Sequence, residues 1–295
     1  MRSLPLTLQG LSRAAREPKL AALLWLLHLL LAAAAITPVA IVLARALEFA
    51  PHGDALLEGA KVGVMVDLLR QVPAIGATLR PALLAAVALA LVGNALLAGG
   101  TLEVLIARDA QPTGHRFGRG AGRFAGRFLR AGLVAVAIGA VAATIAAAPF
   151  LIVRKAFEES VRTEAEMVRV LARLMGLAVA GLVFSMVLMA LDLARVRAVR
   201  DDRRDTVRLF LRALTTIVRR PLLLFGVWGW NALARGAVLT ATAALASILP
   251  TTAWAGLVAL FVVQQAAFLL RAGLRVALWQ SEIALADALD RAHQR

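Results

Sequence analysis

Several polar side chains interrupt the long apolar runs of this sequence, and they are the first candidates for chemistry. They are His28, Asn94, Glu103, Asp192, Asn231, Arg235, Gln264, Gln265, Arg271 and Arg275. A charged group among apolar residues is costly to desolvate, so it usually faces a partner or a water-filled cavity. Arg235 is the strongest candidate, because it lies about 21 Å along a helix that begins at Pro221. These residues could have a role in transport or in ligand binding.

The other polar side chains have structural alternatives. Asn94, Asn231 and Gln264 are expected to hydrogen-bond between helices. Glu103 should pair with Arg271 or Arg275, although both arginines could instead extend to lipid headgroups.

Two shorter-range expectations complete this set. Asp192 can pair with Arg195, one helical turn on. His28 alone is more typical of a packed, hydrogen-bonded residue than of a metal ligand.

Motifs of known enzymes are missing from the sequence. It has four histidines and no cysteine, and it lacks a nucleophile elbow, a His-Glu-x-x-His motif and a phosphate-binding glycine loop. Gly99-Gly100, Gly176 and Gly181 are better explained as positions where helices pack closely. We therefore predict no catalytic residues, no bound metal and no cofactor.

The composition indicates the environment of the chain. Hydrophobic residues make up 61% of it and the mean hydropathy is +0.79, above what a water-soluble domain needs for its core. We predict an all-α membrane protein with a single domain over 1–295. Its six transmembrane helices should lie at about 20–47, 81–107, 131–153, 171–193, 221–249 and 253–278, each long enough for about 30 Å of hydrocarbon.

A basic and aromatic segment, Arg116 to Arg130, directly precedes the third run. Its five arginines recur every three or four residues, so they share a helix face, and Phe117, Phe124 and Phe128 lie beside them. This pattern is typical of a helix lying in an anionic membrane interface. Basic charge can also indicate nucleic acid, but its place beside apolar runs favours the membrane and predicts no nucleic-acid partner.

A second arginine-rich segment, 195–220, repeats the design. Segments 108–130 and 195–220 are the two basic helices that we predict. We expect their arginines to bind anionic lipid headgroups; the set is Arg116, Arg119, Arg123, Arg127, Arg130, Arg208, Arg212, Arg219 and Arg220. A protein partner that docks on the same face remains an alternative use of these arginines.

The charge of the connecting segments predicts the orientation. The N-terminus, 108–130 and 195–220 are strongly basic, whereas 48–80 and 154–170 are nearly neutral. The positive-inside rule places the basic segments and both termini in the cytoplasm, in a bacterial inner membrane. A cleaved signal peptide is the alternative for the first run, because Ala32 to Ala35 offers small residues.

Two peripheral segments and one repeat complete the chain. Segment 48–80 has the pattern of an amphipathic re-entrant helix or an ordered loop, and the tail from Ser281 that of a short amphipathic helix with Ser281 as its N-cap. Residues 11–25 align without gaps to 214–228, matching Arg16, Pro18 and Trp25 to Arg219, Pro221 and Trp228. This could be a duplication, or the shared design of any junction between an interfacial and a spanning helix.

Residues 90–135 contain a glycine pair late in an apolar run, a short polar turn, a Phe/Arg helix and a further apolar run. This pattern resembles uncharacterised bacterial six-span proteins, including the membrane domain that precedes some glycerophosphodiester phosphodiesterases and the YciC-like integral membrane proteins. A weaker resemblance covers Asp192 to Pro221. The family resemblance as a whole implies a six-span fold and no catalytic residues, because the phosphodiesterase chemistry of that family lies in a separate soluble domain.

Two functional hypotheses follow. The first is a non-enzymatic inner-membrane protein that organises the membrane or serves as the membrane subunit of a larger assembly. The alternative is a transporter or permease subunit with a pathway near Arg235, Asn231, Glu103 and Gln264.

Overall fold

The computed structural model describes residues 3–48, 73–107, 111–156, 163–249 and 254–293. These ranges contain helices and no strand. The helices are α1 (Ser3–Ala14), α2 (Pro18–Glu48), α3 (Pro73–Ile106), α4 (Thr113–Ala156), α5 (Thr163–Arg200), α6 (Thr206–Arg219), α7 (Pro221–Ile248) and α8 (Trp254–His293).

Six of these helices, α2–α5, α7 and α8, are long and apolar enough to cross a membrane. Their apolar segments run from 25 to 41 residues, whereas about 20 residues span the hydrocarbon core. The prediction of an all-helical protein with six membrane helices is confirmed. The longest helix, α4, has 44 residues, more than twice the roughly 20 residues that cross the hydrocarbon core.

The two ends of the bundle differ in packing. At one end, which we call the basic end, the end of α3, the start of α4, the end of α5 and the end of α8 meet α1 and α6. Its side chains form the core, and the largest fully buried ones include Leu102, Phe124, Phe128, Leu193, Phe210 and Trp279. Towards the other end, large apolar side chains such as Ile145, Leu177 and Ile248 are exposed. An apolar exterior of this kind suits contact with lipid.

The helix α4 differs from the predicted interfacial helix at 108–130. It begins at Thr113 and continues without interruption through the predicted span to Ala156. The aromatic residues also face inward: Phe124 and Phe128 are buried, and their rings stack with centroids 5.7 Å apart. The prediction that this segment lies separately in the interface is therefore wrong; it extends the span, because α3 and α5 cover its aromatic face.

The second basic segment, 195–220, is two helices rather than one. Residues 195–200 end α5, a turn follows, and α6 begins at Thr206. Asp202 in this turn has a φ of 46°, a left-handed conformation that asparagine and aspartate tolerate better than most residues. The Asp205 side chain accepts a hydrogen bond from the backbone N–H of Arg208 at 3.1 Å and caps α6.

Two predicted helix boundaries are also wrong. Ser281 is not an N-cap, because α8 runs through it and its buried hydroxyl donates to the Ala277 carbonyl at 2.8 Å. α3 begins at Pro73 rather than near Pro81, which lies inside the helix. The predicted re-entrant helix at 48–80 falls largely outside the described residues.

Glycines bring α3 and α4 together as predicted for Gly99-Gly100. A Cβ on Gly99 would lie 2.9 Å from the Gly120 carbonyl oxygen, and one on Gly100 would lie 2.7 Å from the Phe117 ring. Gly176 similarly faces Phe150. The prediction fails for Gly181, which has nothing within 4 Å of a Cβ position. The glycine contact between α3 and α4 fixes the start of α4 against the core.

The two aligned segments adopt the same local structure. A short amphipathic helix, α1 or α6, precedes a long helix whose first residue is a proline, Pro18 or Pro221. The predicted role of Pro221 at the first helical turn is confirmed. A shared fold also suits the general junction design, so duplication stays a hypothesis.

Candidate anion-binding cavity

A buried ion-paired cluster lies at the basic end, between α5 and α8. Asp192 of α5 accepts hydrogen bonds from Arg195 on its own helix, at 3.2 Å, and from Arg275 of α8. Arg275 binds both carboxylate oxygens, with Nη1–Oδ2 at 2.9 Å and Nη2–Oδ1 at 3.1 Å. Asp192 and Arg195 are each 3% exposed. The predicted pair of Asp192 with Arg195 is confirmed, and Arg275 completes it as a bidentate partner.

Aromatic rings hold the two arginines of this cluster in place. The Arg275 guanidinium lies over the ring of Trp279, 4.4 Å from its centroid, and that of Arg195 lies over Phe128 at 5.6 Å. Such cation–π contacts are strongest where water is excluded. Together with Asp192 of α5, they fix the position of the Arg275 guanidinium.

The helix α7 presents a polar face to α8. Trp228, Asn231 and Arg235 follow one another at intervals of three and four residues, so they share this face. The Trp228 indole N–H donates to Oε1 of Glu282 at 3.0 Å. Glu282 is buried, and its second oxygen, Oε2, has no hydrogen-bond partner among the described residues. Asn231 donates only to the Val227 carbonyl of its own helix.

A cavity of about 370 Å³ lies beside this cluster, between α2, α7 and α8. Its lining combines three arginines, Arg235, Arg271 and Arg275, with two other polar side chains, His28 and Gln265. The remaining residues are aromatic or aliphatic: Trp25, Leu29, Ala32, Phe268 and Ala272. None of the described residues that line it is acidic. Ligand sites are usually cavities of this size, mostly apolar with a few convergent polar groups.

Arg235 is the residue of this cavity whose hydrogen bonding is incomplete. Its Nε and Nη2 atoms are buried and have no hydrogen-bond partner in the part of the chain that the structure describes. Arg271 is exposed at the edge of the cavity, where its guanidinium lies over Phe268 at 5.9 Å. An unsatisfied buried guanidinium costs free energy that a bound acceptor would recover.

The charges around the cavity do not balance. Arg235 interacts electrostatically with Asp192, Glu282, Arg271 and Arg275, and Arg195 interacts with the same two carboxylates. Four arginines thus share two acids, which leaves an excess of two positive charges when all are ionised. A negatively charged ligand would neutralise this excess.

Two tryptophans join the long helices to α8 in the same way. The Trp25 indole N–H of α2 donates to Oε1 of Gln265 at 3.2 Å, as Trp228 of α7 does to Glu282. The two tryptophans occupy matching positions in the aligned segments 11–25 and 214–228. The Trp25 contact fixes α2 against α8 and so forms one wall of the cavity.

Several predicted polar contacts are wrong. Glu103 pairs with Arg119 of α4 at 2.9 Å rather than with Arg271 or Arg275. Asn231 bonds within its own helix, and among the described residues Asn94 and Gln264 make no hydrogen bond between helices. His28 is hydrogen-bonded as expected, with Nδ1 2.7 Å from the Leu24 carbonyl oxygen. Of the proposed pathway residues, only Arg235 lines the cavity.

The arginines of α4 have partners within the protein. Arg119 pairs with Glu103, whereas Arg123 and Arg127 pair with Asp202 at 2.6 Å and 3.4 Å. Arg116 donates to the carbonyls of Val104 and Ala107. Arg130 is exposed and bonds the carbonyl of Gly126. The arginines of α4 therefore join this helix to α3 and to the turn after α5.

The arginines of α6 are placed differently. Thr206, Leu209, Phe210, Ala213 and Ile217 form the buried face of this helix. The opposite face exposes Arg208, Arg212 and Arg219, with Arg220 just beyond the helix, beside Leu211 and Val218. This mixture of basic and apolar side chains is typical of a helix at a membrane surface.

Sequence reasoning missed Glu282, Trp25 and Trp228 as parts of the site. One signal was present: Phe268, Arg271, Arg275, Trp279 and Glu282 recur at intervals of three or four residues, so one face of α8 carries them all. Among the described residues, no group of three or more histidine, aspartate or glutamate side chains could hold a metal ion. Comparison with protein-family models, curated proteins and solved structures finds no match to this chain.

Proposed function

We propose that this integral membrane protein binds an anionic ligand in the cavity between α2, α7 and α8, as the ligand-binding membrane component of a transport process. The observation that supports this proposal is Arg235 in the wall of a cavity with excess positive charge, where two buried guanidinium nitrogens have no partner among the described residues. Buried ionisable groups within membrane helices usually mark binding sites or pathways. The protein acts by binding and release, without covalent chemistry.

The test compares bound anions in wild type and Arg235→Gln. The full chain is purified from native membranes in a neutral detergent, and native mass spectrometry detects anions that remain bound or that are added back. Wild type should retain an anionic adduct that Arg235→Gln lacks. The matched control is Arg291→Gln, which removes the same charge at an exposed position outside the cavity and should keep the adduct. Equal anion binding by all three proteins would refute the proposal.

We further propose that the basic end lies in the cytoplasm of a bacterial inner membrane, with both termini inside. The support is the asymmetry of arginine and lysine between the connecting segments. Because the chain has no cysteine, single cysteines can report on sidedness. In intact cells, a membrane-impermeant maleimide should label Lys155→Cys and leave Ser12→Cys unlabelled until the cells are opened. The reverse pattern would overturn this orientation.

A second function, the organisation of membrane lipid or of a larger assembly, is favoured by the outer face of α6. Its arginines and apolar side chains are exposed together, which suits an anionic bilayer surface. This function and ligand binding are compatible, since α6 does not line the cavity. Loss of anionic lipid around Arg212→Gln would support it, and an unchanged lipid composition would contradict it.

A further inference from the structure

The cavity between α2, α7 and α8 is lined by two chemically different groups of side chains. Arg235 and Arg275 form a cationic group, and Arg275 is anchored by Asp192 and Trp279. The apolar group includes Leu29 and Phe268. A small hydrated anion would use only the cationic group. A ligand with an anionic head and an apolar body would use both groups.

The outer edge of the cavity lies on the apolar surface of the bundle. Leu29 and Phe268 are 40% and 52% exposed, and their neighbours Leu30, Leu269 and Leu270 are exposed as well. A surface of this kind faces acyl chains in a bilayer. The cavity is therefore accessible to a molecule that already resides in the membrane.

The volume supports the same conclusion. A cavity of about 370 Å³ has room for roughly a dozen water molecules at about 30 Å³ each. That exceeds a single phosphate or carboxylate group. The lining also includes Trp25 and Ala32, which offer apolar surface that an alkyl chain would cover.

We infer that the ligand is an anionic amphiphile, whose phosphate or carboxylate head binds Arg235 and Arg275 and whose apolar chain leaves the cavity between Leu29 and Phe268. Arg271, at the edge of the cavity over Phe268, contacts the junction of head and chain. This inference rests on the proposed function, since it names the ligand class of the same cavity. Guanidinium groups suit such heads because they bind two oxygens at once.

The experiment uses the full chain in a neutral maltoside detergent with three probes. Decyl phosphate carries both parts of the ligand, inorganic phosphate carries the head alone, and decyl maltoside carries the chain alone. Binding is measured by native mass spectrometry and by the rise in thermal unfolding temperature. We expect decyl phosphate to bind at least about tenfold more tightly than inorganic phosphate, and decyl maltoside to leave the unfolding temperature unchanged.

Two variants with matched controls locate the binding. Arg235→Gln should weaken decyl phosphate binding about 10- to 100-fold, the usual effect of losing a charged hydrogen bond, whereas Arg291→Gln, at an exposed position outside the cavity, should leave it unchanged. Ala32→Trp should fill the cavity and abolish binding while keeping every arginine. Its control is Ala34→Trp, on the same helix at an exposed position that does not line the cavity.

The outcomes separate this inference from the proposed function. Inorganic phosphate that binds as tightly as decyl phosphate, with the same loss in Arg235→Gln, would overturn the amphiphile and leave the anion site standing. Decyl phosphate binding that none of the variants changes would show only detergent-like adsorption and would overturn both. Tight decyl phosphate binding that Arg235→Gln and Ala32→Trp each remove would support both.

Discussion

Two groups of arginines in this protein carry the same charge but differ in what neutralises it. In the first group each arginine meets carboxylates: Arg119 of α4 pairs with Glu103, and Arg200 at the end of α5 pairs with Asp201, Asp287 and Asp290. Those around the cavity outnumber their acids, and two nitrogens of Arg235 have no partner among the described residues. The first group joins helices. The second group carries positive charge that a bound ligand would neutralise.

The difference also separates stability from binding. Ion-paired arginines, including Arg195 and Arg275 on Asp192, hold the helices together at the basic end, so loss of a buried pair should change unfolding. The excess charge at the cavity is a cost to the free protein, so its removal should change ligand binding instead.

The largest effect is expected for Asp192→Asn. This change leaves Arg195, which is buried, and Arg275 without their carboxylate. Removing one partner of a buried ion pair generally costs about 3–5 kcal/mol. The measurement is the free energy of unfolding in a neutral detergent. The control is Asp202→Asn, whose carboxylate is 56% exposed and should cost about 1 kcal/mol or less. Equal losses in the two variants would contradict the assignment of the cluster.

Arg235→Gln should have its effect only when ligand is present. In the free protein, the variant should be as stable as wild type or more so, because it no longer buries unpartnered donors. A ligand at 100 times its dissociation constant stabilises a protein by about 2.7 kcal/mol, and this gain should disappear in the variant. Thermal unfolding with and without decyl phosphate measures both. A large loss of stability in the ligand-free variant would instead make Arg235 a structural residue.

The sequence predicts those features of the protein that depend on residues close together along the chain. Six apolar runs of sufficient length predict six membrane helices, because hydropathy and length alone decide that property. Asp192 with Arg195 was also predictable, since the two lie one turn apart on a single helix. Arg235 could be identified because it lies far along an apolar helix that begins at Pro221.

The remaining features depend on how helices pack against one another. Arg275 meets Asp192 across 83 residues of chain, and Trp25 meets Gln265 across 240. No local pattern encodes these separations. Phe124 and Phe128 show the same limit. Their amphipathic spacing indicates that the helix has two different faces, but it does not indicate whether lipid or another helix covers the apolar face.

The ion pair between Glu103 and Arg119 lies where the backbones of α3 and α4 approach each other closely. The variant Gly120→Ala tests the importance of this close approach. A Cβ at position 120 would lie 2.6 Å from the Gly99 carbonyl oxygen and would collide with Glu103. Such overpacking typically costs about 1–3 kcal/mol, and it should also disturb the pair between Glu103 and Arg119. Gly122→Ala is the control on the same helix. It meets nothing within 4 Å and should stabilise the protein by about 0.5–1 kcal/mol.

The smallest effect concerns lipid headgroups and separates the two basic surfaces. Arg212 is exposed on the outer face of α6, whereas Arg123 is already paired with Asp202. A basic residue near an anionic surface contributes about 1 kcal/mol to the attraction. Arg212→Gln should therefore reduce anionic lipid bound in mixed-lipid nanodiscs severalfold, as measured by native mass spectrometry.

Arg123→Gln should reduce the anionic lipid in the same assay much less, because a carboxylate within the protein already satisfies the positive charge that it removes. Both substitutions remove one unit of charge, so a general electrostatic effect would make them equal. An equal loss would show that the arginines of α4 bind lipid as well as Asp202, and that the division between neutralised and available arginines does not hold at the surface of the protein. A loss confined to Arg212→Gln would extend that division from the cavity to the membrane interface.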